Sequence, residues 1–162
     1  MSRKNDGINI ISAALRAYAD RGVFRSYSHK KGTGGKHEFV FVWLIEAPFV
    51  LSYNEKSNIL TFNNLLPAVE KKSHTDFILR QFLKSRYSEK LPEHRRVEKE
   101  KIKLTCINKT GSVSIALKML PTCDYAYGVN KAVNLVSDIF TLFFNKPENG
   151  VYVHDNFGIA GE

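Results

Sequence analysis

The sequence predicts an α+β fold of two layers, with three helices packed on an antiparallel sheet of about five strands. In several short segments, apolar residues alternate with polar ones between hairpin-length turns, which is typical of antiparallel strands. In three other segments, apolar residues recur every three to four positions, which is typical of helices with one face in a core. The predicted order is helix, three strands, helix, two strands, helix.

Length and composition indicate one domain. The chain has 162 residues, of which 43% are hydrophobic, which is enough for a single core without metal or disulfide support. We assign residues 1–146 to one α+β domain and residues 147–162 to a C-terminal tail that is either loose or packed back on it. Cys106 and Cys123 form no CxxC pair, and we expect free thiols in a reducing cytoplasm.

We expect neither a signal peptide nor a membrane span. The first ten residues contain no apolar h-region before Asp6 and Gly7. The longest strongly apolar run, residues 39–45, is much shorter than the roughly 20 residues that a membrane-spanning helix needs. The sequence thus predicts a cytoplasmic protein.

The first half of the chain predicts one helix and then hairpins. Ile8, Ile11 and Leu15 have helical spacing, Asn5 or Asp6 can cap the helix, and Gly22 can end it. Residues 23–27 and 37–46 are rich in β-branched and aromatic side chains and predict a hairpin. Residues 49–53 and 59–62 flank a polar turn and predict another.

The glycine cluster HKKGTGGKH, residues 29–37, resembles a phosphate-binding loop. Such a loop needs a helix directly after it, whose N-terminus faces the anion. Here an apolar strand sequence, EFVFVWLIE, follows, and His37 occupies the place of the required Ser or Thr. We therefore predict a hairpin turn whose lysines could still contact an anion.

The second half predicts a helix, a hairpin and a long helix. Phe77, Ile78, Phe82 and Leu83 have helical spacing, with Thr75 placed to cap. Residues 88–101 are dense in charge and predict an exposed linker. The segment KIKLTCINKTGSVSIALKML predicts a hairpin with one buried face, and DYAYGVNKAVNLVSDIFTLFF predicts an amphipathic helix that begins at Asp124 or Thr122.

The element order, this hairpin and this helix resemble the fold group of type III secretion chaperones of the Tir-chaperone type and YbjN-like bacterial proteins. The resemblance spans about residues 7–144. It implies a non-enzymatic dimer that binds a partner polypeptide. The chain departs from the secretion chaperones in being basic, with a net charge of +8, whereas those chaperones are usually acidic.

No residue pattern predicts a reaction, a cofactor or a metal. The five histidines form no HExxH motif and no pair spaced for one helix face. His29 and His37 can meet across the first hairpin, which would supply two of the four ligands that zinc prefers. The sequence therefore predicts no catalytic, cofactor or metal residues, and an enzyme of unidentified class is only the second alternative.

Basic residues are concentrated in residues 1–36 and 71–103, each with a net charge of +6. Such clusters can bind nucleic acid, or can simply keep a surface solvated. The candidate contacts to an anion or nucleic acid are Lys30, Lys31, Lys36, Lys71, Lys72, Arg80, Lys84, Arg95, Arg96 and Lys99.

Three phenylalanines, Phe140, Phe143 and Phe144, lie near the end of the last predicted helix. Phe144 lies off the side shared by Phe140 and Phe143, so the three are candidates for a protein interface, with core packing as the alternative for Phe140 and Phe143.

The leading hypothesis is a chaperone-like protein-binding module that acts as a homodimer. The alternative is a nucleic-acid-binding protein that uses segments 71–103 and 25–36.

Overall fold

The computed structural model describes the backbone of residues 3–157 and the side chains of residues 7–157. It contains an antiparallel sheet covered by helices, so the predicted α+β class is confirmed. The helices are α1 (Arg3–Asp20), α2 (His74–Ser85), α3 (Tyr125–Asp138) and α4 (Gly150–Phe157). The strands are β1 (Ser26–Lys31), β2 (Lys36–Val42), β3 (Pro48–Asn54), β4 (Ile59–Leu66), β5 (Ile102–Asn108) and β6 (Val113–Met119).

The six strands are arranged in the order β1-β2-β3-β4-β6-β5. The sequence predicted about five strands and three helices, and the structure has one more of each in its described part. The extra strand lies before α2, where the predicted order counted three strands and each of the four strand-prone segments forms one, β1 to β4. The extra helix, α4, is formed by residues of the predicted tail.

One face of the sheet forms the core together with the helices. Along each strand, successive side chains point alternately to this face and to the opposite one, as the pleat requires. The core-facing residues of the central strands include Phe39, Phe41, Leu51, Tyr53, Leu60, Phe62, Ile115 and Leu117. Glu38 and Lys118, which point to the opposite face, are exposed.

The predicted helix boundaries were partly right. Gly22 follows α1 with a φ of +77°, a conformation that glycine adopts without strain. Asp124 caps α3, since its Oδ1 accepts a hydrogen bond from Tyr127 N at 2.7 Å. The predicted cap of α2 was wrong, because Ser73 Oγ accepts from Asp76 N. Asn5 and Asp6 lie inside α1, which begins at Arg3.

α2 and α3 are joined by a buried ion pair. Arg86 Nη1 lies 3.3 Å from Asp138 Oδ2, and the two side chains are 9% and 11% exposed. The Arg86 guanidinium also lies 4.2 Å from the centre of the Phe82 ring. Breaking such a pair leaves a buried charge without its partner.

We expect Arg86→Ala to lower the free energy of unfolding by about 3–5 kcal/mol, because Asp138 stays buried and unpaired. The double variant Arg86→Met with Asp138→Leu should recover most of that loss, since no charge is left buried. Urea denaturation measures both. The matched control is Arg25→Ala, which removes an exposed ion pair with Glu46 and should cost about 1 kcal/mol or less. Equal losses for Arg86→Ala and Arg25→Ala would contradict the assignment.

Candidate functional site

A groove of about 380 Å³ lies between α2 and β5. We call it the α2–β5 groove. It is lined by Phe77, Arg80, Gln81, Leu83, Lys84, Tyr87, Leu104 and Cys106. Its surface combines apolar side chains with two cationic ones, so it can bind an apolar group and an anionic group together.

The way in which α2 packs creates this groove. Leu79, Phe82 and Leu83 face the core, and the Phe82 ring packs against Phe143 with ring centres 5.3 Å apart. Phe77 points outward and is 58% exposed. Phe77 shares the helical spacing noted in the sequence, but the face of α2 that meets the core contains Leu79, Phe82 and Leu83 instead.

Side chains of α2 and of the turn that follows it occupy the outer edge of β5, which is the last strand of the sheet. Tyr87 Oη accepts a hydrogen bond from Leu104 N at 2.7 Å and donates one to Ile102 O at 3.4 Å. Arg80 Nη1 donates to Cys106 O at 3.3 Å. These contacts hinder the addition of another strand, so a ligand of the groove would bind through side chains.

Arg80 is held in place by Asp76. Arg80 Nε lies 3.1 Å from Asp76 Oδ2, and Asn108 Nδ2 donates to Asp76 Oδ1 at 3.1 Å. Burial raises the pKa of Asp76, but the hydrogen bonds from Asn108 and Arg80 outweigh it, so the pKa lies below its ordinary value. The hydrogen bond to Asp76 raises the pKa of Arg80. The Lys84 ammonium forms no ion pair with any residue that the structure describes.

The two cysteine thiols are free. Burial raises the pKa of the Cys106 thiol in the groove, although Arg80 opposes that effect. Burial also raises the pKa of the Cys123 thiol, to about 11. Both thiols are therefore protonated at neutral pH, whereas a nucleophilic cysteine needs thiolate character.

The predicted basic contacts do not form one surface. Lys30, Lys31 and Lys36 belong to the β1–β2 hairpin, whereas Arg80 and Lys84 lie beside β5. β1 and β5 are the two opposite ends of the sheet, which at about 4.8 Å per strand places them roughly 24 Å apart. Lys71 and Lys72 lie just before α2, and the remaining predicted contacts lie between α2 and β5.

Residues 88–101, predicted to be an exposed linker, are anchored to the domain. Val97 is 2% exposed, and its amide donates to Arg86 O at 2.8 Å. Lys131 Nζ on α3 donates to Glu93 O at 2.6 Å. Val97, an apolar residue within the charged stretch, was the signal that the linker prediction overlooked.

This anchoring fixes the backbone that carries the last three basic candidates. Arg95 and Lys99 are exposed. Arg96 is half-buried and donates from Nη1 to Glu89 O at 3.5 Å. A small cavity of about 230 Å³ beside Arg96 is also lined by Glu89, Glu98 and Glu100, and these carboxylates weaken the local positive field.

Of the three phenylalanines predicted as a protein interface, Phe143 and Phe144 are buried by the chain itself and Phe140 is half-buried. Phe143 and Phe144 are 0% and 4% exposed. Phe140 lies in a π-helical turn, Ile139–Phe143, that continues α3, and its ring packs against Phe157 of α4 with centres 5.5 Å apart. In this arrangement of the chain, a partner could therefore reach only Phe140, which is half-buried.

His29 and His37 meet across the first hairpin, as the sequence predicted. His29 Nε2 lies 3.1 Å from His37 Nδ1, and His37 Nε2 lies 2.9 Å from Glu55 Oε1. Burial, His37 and Arg16 lower the pKa of His29. The described residues contain no cluster of three or more His, Cys, Asp or Glu arranged to hold a metal ion.

Comparison of the chain with family models, with curated proteins and with solved structures finds no match. The resemblance to the Tir-chaperone group thus stays a prediction. Within residues 3–157, no helix has the length and apolar character needed to cross a membrane.

We expect Tyr87→Phe to expose the edge of β5. The variant keeps the ring but removes the hydroxyl that pairs with Leu104 N and Ile102 O, and such a loss costs about 1–3 kcal/mol. Amide hydrogen exchange at Leu104 should become faster. Tyr18→Phe is the control, because its hydroxyl donates to Asn130 on the exposed surface. Unchanged exchange at Leu104 in Tyr87→Phe would rule out the edge-capping role.

We expect the stability advantage of wild type over Asp76→Asn to depend on pH. Because the folded pKa of Asp76 is lowered, the charged carboxylate stabilises the fold above its unfolded pKa of about 3.9. This contribution is lost as the pH falls through the folded pKa. Denaturant titrations from neutral to acidic pH should show the difference shrinking below about pH 4, with exposed Asp20→Asn as the control. A difference that stays constant on acidification would refute the explanation.

Proposed function

We propose that the protein is a non-enzymatic, chaperone-like module that binds a partner polypeptide in the α2–β5 groove. The observation that carries the proposal is the position of Phe77. This residue is 58% exposed and lines a preformed groove. Aromatic side chains are enriched in protein interfaces, so an exposed one that lines a recess can anchor a partner.

The charges of the groove indicate what kind of segment it binds. Arg80 and Lys84 are its charged residues, and both are cations. Leu83, Leu104 and Cys106 supply an apolar surface between them. We therefore propose that the occupant is a segment with an apolar or aromatic side chain flanked by Asp or Glu, because opposite charges steer association and fix the binding position.

The chemistry of the groove favours binding over catalysis. Its titratable groups are two cations, the Tyr87 hydroxyl and the Cys106 thiol. Burial raises the pKa of both Tyr87 and Cys106, so neither is a base or a nucleophile at neutral pH.

Homodimer formation remains part of the proposal. Two copies would present two grooves to one partner, which raises the apparent affinity through multivalency. The solution mass measured at several protein concentrations tests this part independently of the groove.

Two fluorescent peptides of equal length test the groove. Each has a central phenylalanine, flanked by glutamates in one and by lysines in the other, and fluorescence anisotropy gives the dissociation constants. We expect the glutamate peptide to bind about tenfold or more tightly than the lysine peptide. Phe77→Ala and Lys84→Glu should each raise the dissociation constant of the glutamate peptide about tenfold, a loss of affinity typical of an interface anchor.

The two control variants change the same kinds of side chain, an exposed lysine and an exposed apolar residue, at positions outside the groove. Lys103→Glu reverses a charge on β5 that points away from the groove, and Val151→Ala truncates another exposed apolar side chain, on α4. If Lys103→Glu lowered the affinity for the glutamate peptide as much as Lys84→Glu does, the groove would be ruled out as the binding site. Binding of a single-stranded oligonucleotide that falls steeply with salt, and is lost on charge reversal at Arg95, Arg96 and Lys99, would favour the nucleic-acid alternative.

A further inference from the structure

The β1–β2 hairpin holds two histidines and one carboxylate in a row. His29 Nε2 faces His37 Nδ1 at 3.1 Å, and the other nitrogen of His37 lies 2.9 Å from Glu55 Oε1. His37 is 4% exposed, whereas His29 lies on the exposed edge strand β1. The row therefore runs from a buried carboxylate contact to an imidazole that solvent can reach.

The surrounding chain fixes both rings before any ligand arrives. The His29 ring stacks on Phe39, with centres 4.4 Å apart and an angle of 18° between the planes. Glu55 N donates to Gly35 O at 2.9 Å, which ties the carboxylate residue to the glycine turn. A Cβ at Gly35 would lie 3.2 Å from Glu55 Oε2, and Gly35 has a φ of +79°, so glycine suits this position for two reasons.

The Glu55 carboxylate determines which His37 nitrogen carries a proton. A carboxylate accepts, so His37 Nε2 must donate, and the lone pair of neutral His37 is then on Nδ1, facing His29. A carboxylate that orients the second nitrogen of an imidazole in this way is the common support of metal-binding histidines.

The spacing of the two facing nitrogens fits one metal ion. Two imidazole nitrogens that each lie about 2.0–2.1 Å from the same ion are roughly 2.8–3.4 Å apart for octahedral to tetrahedral angles. The observed 3.1 Å falls in that range. Without a metal, the same spacing accommodates a hydrogen bond from His29 Nε2 to His37 Nδ1.

We propose that His29 Nε2 and His37 Nδ1 bind one divalent transition-metal ion of the Zn²⁺ or Cu²⁺ class, with water completing its coordination. Imidazole suits these borderline ions, whereas Mg²⁺ and Ca²⁺ prefer oxygen. Glu55 is a positioning residue that holds His37 in the required tautomer. Arg16 and the hairpin lysines repel a cation, so the ion exchanges readily. This inference does not depend on the proposed function.

The test uses the full chain without an affinity tag and Zn²⁺ alone. Competition with a chromophoric chelator gives the stoichiometry and the dissociation constant. We expect one equivalent to bind wild type, and His29→Ala to weaken binding at least tenfold. Because His29 is exposed, this variant should fold, and circular dichroism verifies that it does. Glu55→Gln should weaken binding about tenfold to a hundredfold, as loss of an orienting partner does.

A second readout tests the ligands directly. The electron paramagnetic resonance spectrum of one bound Cu²⁺ should show coupling to nitrogen that is reduced in His29→Ala. His74→Ala and His94→Ala are the matched controls, since both remove a histidine elsewhere, and they should leave both readouts unchanged. Absence of saturable binding in wild type, wild-type affinity in His29→Ala, or loss of binding in either control would overturn the proposal.

Discussion

An antiparallel sheet that does not close into a barrel has two edges whose backbone groups need protection, and this constraint organises both ends of the molecule. At β5 the protection comes from Arg80 of α2 and from Tyr87, which follows the helix, and both pair with the strand backbone. At β1 the strand itself is exposed and carries Lys30 and Lys31 beside His29, and charged residues on an edge oppose pairing with another chain. The α2–β5 groove lies at the β5 edge, and the pair His29 and His37 lies at the β1 edge.

The link between edge protection and binding is geometric. To reach the backbone of β5, Tyr87 and Arg80 must bridge the space between helix and strand, and that space is the α2–β5 groove. The same arrangement turns Phe77 outward. At the other edge, the glycine turn that joins β1 to β2 also brings Glu55 against His37. At each edge, the contacts that organise the backbone therefore also place side chains that can bind a ligand.

The interior of the helical layer is completed late in the chain. α3 continues into the π-helical turn Ile139–Phe143, whose wider winding changes the direction of the side chains that follow. Phe144 then packs against Tyr152 and Phe157 of α4. A helical period of 3.6 residues places Phe144 off the core side, and it was the contact with α4 that buried it.

Local pattern predicted the fold class because alternation and helical spacing are properties of consecutive residues. The 102–119 hairpin, the Asp124 cap, the Gly22 helix end and the meeting of His29 with His37 all follow from short-range geometry. The exposure of Phe77, the anchoring of Val97 and the partnership of His37 with Glu55 depend on residues distant in sequence. The sequence by itself thus determined the α+β class, the antiparallel pairing and most of the helices and strands. Only the tertiary structure decided which polar and aromatic side chains face each other, because that depends on how α2 and the β1–β2 hairpin pack against the sheet.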